Sequence, residues 1–177
     1  MAEGFIEVRG AQLFFRTVGR GRALLFLHGG PAARHNYFLP WVRPLAAHSK
    51  LVFYDQRGSG RSSKSAHGRY PLATMVEDVE MVRRRLGLGK IDLLGHSWGG
   101  LLAEEYALTH PTSLHHLILA DTFSSGRELN RRLKEMRVTA TARQRAIIER
   151  YEKRGLFRDG DRYPKEYERV ANEVYAP

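Results

Sequence analysis

The chain has 177 residues, enough for one domain with a sizeable core, and its 42% hydrophobic content is that of a globular rather than a disordered chain. It contains no cysteine, which excludes disulfides, thiolate metal sites and a cysteine nucleophile. Its formal charge of +10 is interleaved with acids, as in "RELNRRLKEMR" and "IIERYEKRG", so it reads as solvated helix faces and no nucleic-acid partner is expected.

The first residues, "MAEGFIEVRG", carry acids and lack an apolar signal core, and no apolar run approaches a membrane span. A cytoplasmic protein without a membrane partner is the expectation. "FIEVRG" and "QLFFRTVG" predict two antiparallel strands turning at Gly10. "ALLFLHGG" is a continuous apolar run, the signature of a buried strand. "FLPWVRPLAAH" predicts a short helix whose start is restricted by Pro40 and Pro44. "KLVFYD" is another buried strand. "PLATMVEDVEMVRRRLGLG" predicts an amphipathic helix with Met75, Val79 and Val82 on one face and Gly87 closing it. "KIDLLGHS" and "LHHLILAD" are strands, with the helix "WGGLLAEEYALTHP" between them, ended by Pro111.

Strands alternating with helices predict an α/β fold with a mostly parallel sheet covered on both faces. After residue 123 the texture changes. Residues 126–155 read as one long charged helical stretch, and "YPKEYERVANEVYAP" predicts a further helix opened by Pro164. Residues 1–123 are therefore expected to be part of an α/β core, and residues 124–177 a helical insertion or lid.

"GHSWGG" at residues 95–100 matches G-x-S-x-G, with a strand before it and a helix after it. A serine on so sharp a turn brings the residues two before and two after it close together, and Gly95 and Gly99 are small enough for that. Gly100 is expected to give room where the helix packs on the sheet. Ser97 is thereby the candidate nucleophile, lifted clear of the sheet at a helix N-terminus. Acyl transfer also needs oxyanion donors. The backbone N–H of Trp98 is one candidate. The other is the N–H of Gly30 in "HGGPA", where Gly29 and Gly30 let the backbone pass close to a substrate and His28 is expected to brace the loop. "DQRGSGRS", residues 55–62, follows the fourth strand and should share the edge that carries Ser97. It lacks a Walker lysine pattern, so Asp55 and Arg57 are expected to brace the loop through a charge-assisted contact.

These three motifs in this order resemble the α/β-hydrolase fold and, more narrowly, the proline iminopeptidase family of serine aminopeptidases, which release N-terminal proline or other residues from short peptides. That family's pattern reads HGGPG, DQRGSGRS and G-x-SWGG; here Ala32 replaces the last glycine of the first motif. The likeness runs from about residue 20 to 177 and takes in "LLAEEYALTHP", "LILAD" and "YPKEYERV". It implies Ser97 as nucleophile, Gly30 and Trp98 as oxyanion donors, a small peptide or acyl substrate, and no metal or cofactor. It also implies acidic cap residues that hold the substrate amine, which have no identified counterpart in this sequence.

The fold orders its triad Ser, Asp or Glu, His. Of the eight histidines, His110 lies thirteen residues along the helix from Ser97, ~20 Å away at 1.5 Å per residue. His115 and His116 are expected just before the sixth strand, and His96 sits inside the elbow. His28, His35 and His67 all precede the serine. Asp121, at the end of the sixth strand, is placed where some hydrolases of this fold carry their acid. The chain is thus expected to be the N-terminal part of a hydrolase, lacking the last strands and the triad Asp and His, with only the start of a helical cap. Its sixth strand would be a bare apolar edge that invites self-association or pairing with a missing C-terminal half. Two alternatives stay open: another α/β-hydrolase such as an esterase or lactonase, and a non-catalytic hydrolase remnant that binds a ligand or partner near Gly30 and Trp98.

Overall fold

The computed structural model describes residues 1–30, 33–64 and 70–154, together with residues 166, 169, 170, 173 and 174. These divide into two compact units, Met1–Ser124 and Ser125–Pro177.

The first unit is built on a six-stranded sheet in the order β1-β2-β4-β3-β5-β6. β1 (Ala2–Val8) and β2 (Ala11–Val18) form an antiparallel hairpin. Its two-residue turn puts both Arg9 (φ 48°) and Gly10 (φ 73°) in the left-handed region, as a tight hairpin turn requires. β2 also pairs antiparallel with β4 (Lys50–Tyr54). β3 (Ala23–Leu27), β4, β5 (Ile91–His96) and β6 (Leu114–Ala120) are parallel neighbours.

Every residue of β3 is buried because the strand is covered on both faces. Leu25 and Leu27 point to one side, with Val52, Tyr54 and Leu93, against Val76, Val79 and Val82 of α2 (Leu72–Arg85) and Leu102 and Tyr106 of α3 (Trp98–Thr109). Leu24 and Phe26 point to the other, with Leu51 and Phe53, against Phe38. Period-two alternation on a two-sided sheet thus produces an unbroken apolar run. α2 closes as expected at Gly87: the Leu88 and Gly87 N–H groups donate to the Arg83 and Arg84 carbonyls (3.0 Å each), a Schellman motif. Glu80 ties α2 to α3 by accepting from the Tyr106 hydroxyl at 2.7 Å.

Three expectations change. The helix foreseen over residues 38–48 is a single α-turn, α1 (Leu39–Val42), flanked by 3-10 turns at His35–Tyr37 and Arg43–Ala47. Pro44 has no N–H to continue an α ladder, and the chain tightens instead. The stretch "LHHLILAD" does supply β6 as expected, and the strand takes in His115 and His116, which were expected just before it. The charged stretch after residue 126 is two helices, α4 (Gly126–Thr139) and α5 (Ala142–Arg154). The break is a capping box: Thr141 N–H donates to Gln144 Oε1 (2.8 Å), and Gln144 N–H donates back to Thr141 Oγ1 (3.3 Å). Ala140, Ile147, Ile148, Val170 and Val174 are buried. Pro164, where a further helix was expected to open, lies outside the described residues.

β6 is the outer strand, bonded only to β5 among the described residues. Its Leu117, Ile118 and Leu119 are 37%, 41% and 43% exposed, on two faces and an edge. Among the described residues no helix is long and apolar enough to cross a membrane.

Candidate active site

Ser97 sits between β5 and α3 with φ 53° and ψ −122°. A side chain held there costs on the order of 1–3 kcal/mol and persists only when its surroundings impose it. The surroundings are dense. A Cβ on Gly95 would run into the Gly99 carbonyl and lie 2.6 Å from the Gly100 Cα. A Cβ on Gly99 would meet the Leu27 and His28 carbonyl oxygens at the end of β3. The two motif glycines therefore let strand, turn and helix close on one another. Gly100 lies where α3 meets β5, its Cα close to Gly95, and it has a further neighbour: a Cβ there would collide with the side chain of Thr122, in the loop after β6.

The loop after β3 lies against this turn. A Cβ on Gly29 would be 3.2 Å from Ser97 Cβ and 3.2 Å from His96 Nδ1. Gly29 N–H donates to the Tyr37 hydroxyl at 2.7 Å, and that hydroxyl lies 2.8 Å from His96 Nδ1. Tyr37 thus bridges the two motifs. Pro31 and Ala32, the end of "HGGPA", lie outside the described residues.

His28 is buried. Its Nε2 accepts from Gln56 N–H at 3.0 Å, so Nδ1 carries the proton and donates to the Gly29 carbonyl at 2.7 Å. The Gly29 carbonyl and the Gly30 N–H belong to one planar trans peptide and point opposite ways. Holding the first directs the second. Burial pushes the imidazole pKa down from 6.5 to about 4, against the Gly29 carbonyl and Asp55, which favour the charged form. The neutral ring is therefore the one the fold accepts. Its contribution to stability is complete above pH 6.5 and is lost as pH falls from there through about 4, a change of about 3 kcal/mol. Urea unfolding from pH 7 to 4 should show this slope, and a His28→Asn variant should lack it. Equal slopes in the two proteins would contradict the assignment.

Asp55 and Arg57 do not pair with each other. The Asp55 carboxylate is fully buried and accepts from His35 N–H (3.1 Å), His35 Nδ1 (2.6 Å) and Arg61 N–H (2.9 Å). Burial pushes its pKa up, but the His35 and Arg61 hydrogen bonds outweigh it and hold the carboxyl below the usual range. Gly60, at φ 50°, packs on the same carboxylate where any side chain would collide with it. Arg57 reaches away to Asp78 of α2, bidentate at 2.8 and 2.7 Å, and to the Val8 carbonyl of β1 at 3.2 Å. Both residues hold the loop, each through a distant partner.

A pocket of about 400 Å³ opens beside these motifs, lined by Gly29, Gly30, Gln56, Tyr70, Met75 and Trp98, with residues 57–59 at one side. Ser97 is not among the described residues that line it. Ser97, Gly29, Trp98 and Gln56 are thus brought to one edge of the sheet; Asp55 stays buried as a support, and Arg57 lines one side of the pocket while anchored to Asp78.

No described histidine hydrogen-bonds the Ser97 hydroxyl. His28 and His96 are engaged as above. His35 Nδ1 is on Asp55, and its Nε2 is buried without a partner, beside the Phe14 and Phe53 rings. His110 is paired with Glu77 and His116 with Asp92. His67 lies outside the described residues. Asp121, directly after β6, is exposed with φ 46°. Thr122 and Tyr37 escaped sequence reasoning. A third glycine after the elbow hints that something must fit against the helix; nothing in the sequence singles out Tyr37.

A serine on a strained strand-to-helix turn, with a glycine-rich loop packed on it at one edge of a largely parallel sheet, defines the class. The sequence matches the alpha/beta hydrolase fold family over residues 22–146, and the chain belongs to that family. It is similar to the proline iminopeptidase of Lactobacillus helveticus (strain DPC 4571), 37% identical over 97% of this chain and 60% of the relative. The chain thus spans about 60% of the length of that curated relative. Among solved structures it resembles a proline iminopeptidase from Mycobacterium smegmatis, with a TM-score of 0.74 and 25% identity over 98% of this chain and 60% of that one. It also resembles Est816, described as an N-acyl homoserine lactone degrading enzyme, with a TM-score of 0.63 and 25% identity over 67% of this chain and 45% of that one.

Proposed function

We propose that this chain carries the nucleophile and oxyanion hole of a serine hydrolase of the proline iminopeptidase type, an aminopeptidase that releases N-terminal residues from short peptides. The observation that carries the reading is Ser97 itself: a non-glycine residue at φ 53° on the strand-to-helix turn, with the Gly29 backbone packed on it. Ser97 Oγ attacks the carbonyl carbon of the substrate's first residue. The N–H groups of Gly30 and Trp98 receive the oxyanion. The C–N bond breaks, the shortened peptide leaves as an amine that takes up a proton, and water then cleaves the acyl ester to regenerate the hydroxyl.

The base that takes the Ser97 proton is assigned to a triad Asp and His outside the described residues. The helical unit after residue 124 is proposed as the start of a cap over the substrate. A cytoplasmic location belongs to the same proposal, supported by the cysteine-free composition. So does a partner strand for β6, for which the exposed Leu117, Ile118 and Leu119 are the support. Residues 1–177 alone should self-associate or unfold with low cooperativity. A sharp monomer boundary in sedimentation with cooperative unfolding would count against that partner.

The likeness to Est816 favours an esterase or lactonase as the second reading. Turnover of prolyl p-nitroanilide, p-nitrophenyl butyrate and an acyl homoserine lactone by the complete gene product separates the two. Preference for the prolyl amide supports the peptidase. Preference for the ester or lactone overturns it in favour of the second reading. Hydrolysis of none of the three would leave a non-catalytic binding remnant as the better account.

A further inference from the structure

The end of β6 holds Ser97 from both sides. Ser97 N–H donates to the Ala120 carbonyl at 3.1 Å. The Thr122 hydroxyl donates to the Ser97 carbonyl at 2.7 Å. Between them Asp121 adopts φ 46°, a left-handed conformation that folds the chain back so that residue 122 returns to the elbow. Gly100 has no side chain where Thr122 sits, since a Cβ there would overlap the threonine. The fit is therefore mutual: a strained residue supplies the turn, and a glycine supplies the space.

The acceptor of that hydrogen bond is what matters chemically. The Ser97 carbonyl and the Trp98 N–H belong to the same peptide unit. The unit is planar and trans, so its C=O and N–H point in opposite directions. A donor that fixes the carbonyl on one side fixes the direction of the N–H on the other. The Gly100 N–H also reaches this carbonyl, at 2.9 Å, but it belongs to the first turn of α3 and moves with it. Thr122 is anchored to a different strand and references the peptide to the sheet.

We infer that Thr122 is a positioning residue that aims the Trp98 N–H at the oxyanion by holding the Ser97 carbonyl. The inference rests on the reading of Ser97 and Trp98 given above. Thr122 touches neither substrate nor reacting atoms. Its effect belongs to the transition state, where negative charge develops on the oxyanion, and not to ground-state binding.

The test uses the complete gene product and p-nitrophenyl acetate, an activated ester whose hydrolysis draws on the oxyanion donors whatever acyl group is preferred. Thr122→Val keeps the shape and removes the donor. Thr122→Ser keeps the donor. Thr122→Ala also removes the donor, with less bulk against Gly100, should the valine variant fail to fold. The expected result is a kcat about tenfold lower in Thr122→Val or Thr122→Ala at unchanged KM, and recovery to within about twofold in Thr122→Ser. A donor-less variant within twofold of wild-type kcat overturns the inference. So does a parallel fall in kcat and thermal midpoint that Thr122→Ser fails to rescue, because that pattern marks a merely structural residue. Ser97→Ala run alongside separates the two levels. Wild-type turnover in Ser97→Ala removes the nucleophile reading and this inference together. Loss of turnover in Ser97→Ala with none in the Thr122 variants removes the inference alone.

Discussion

Replacing Ser97 with alanine is expected to lower prolyl amide or ester hydrolysis by about 10⁴-fold or more, because removing the nucleophile leaves only oxyanion stabilisation and binding. The variant should fold. No hydrogen bond from the Ser97 hydroxyl to a described histidine is lost, and the two backbone contacts at Ala120 and Gly100 need no side chain. Ser97→Gly makes a sharper prediction. Glycine adopts φ 53° without the penalty that a Cβ incurs there, so this variant should be inactive yet more stable than wild type by about 1 kcal/mol. Chemical unfolding of the two variants beside wild type checks both halves. A Ser97→Gly protein less stable than wild type would mean that the turn is not strained. Retained turnover in either variant would remove Ser97 from the chemistry.

The largest effect on stability is expected at Asp55. Its carboxylate is fully buried and receives three hydrogen bonds, two from backbone N–H groups and one from the His35 ring. Asp55→Ala leaves the two buried His35 donors and the partly buried Arg61 N–H with no acceptor, and the loss should be about 3–5 kcal/mol. That is a large share of what a domain of this size has to spare. Asp55→Asn restores one acceptor and should recover part of the loss. Because the native carboxyl is held below its ordinary pKa of 3.8, its contribution is present above that pH and is lost as pH falls below it. Urea midpoints of the three proteins at neutral pH measure the effect. A loss under 1 kcal/mol in Asp55→Ala would show that the "DQRGSGRS" loop is not organised around this group.

How far the sequence could be read depended on how local each cause was. The β3 run announced its own burial, since alternate residues meet α2 and α3 on one side and Phe38 on the other. The elbow was legible because its demands fall within five residues: two glycines that must approach, and a serine between them. The supports were not. Asp55 and Arg57 stand two residues apart and invite pairing, yet their partners are His35 and Asp78, each about twenty residues distant in opposite directions along the chain. Thr122 meets Ser97 only because β6 lies beside β5, a neighbourhood set by sheet order and not by spacing.

The helical region teaches a similar lesson from the other direction. Thr141-x-x-Gln144 is a local capping signal that marks the start of α5, but the even run of charges around it reads as uninterrupted helix. The prolines at 40 and 44 did flag trouble, and the outcome was one α-turn between 3-10 turns. His115 and His116 fall inside β6 because the strand begins at Leu114, three residues before the uninterrupted apolar run at Leu117. Solvent-exposed residues on an edge strand carry little of the hydrophobic signal from which strands are read.

The central claim is that Ser97 is the acyl-transfer nucleophile, and the most direct test is covalent. The complete gene product is treated with a fluorophosphonate, digested, and the adduct is located by mass spectrometry. The account predicts one adduct, on Ser97, formed in step with loss of hydrolytic activity. Loss of activity with the adduct on another residue, or undiminished hydrolysis with Ser97 fully labelled, would contradict it.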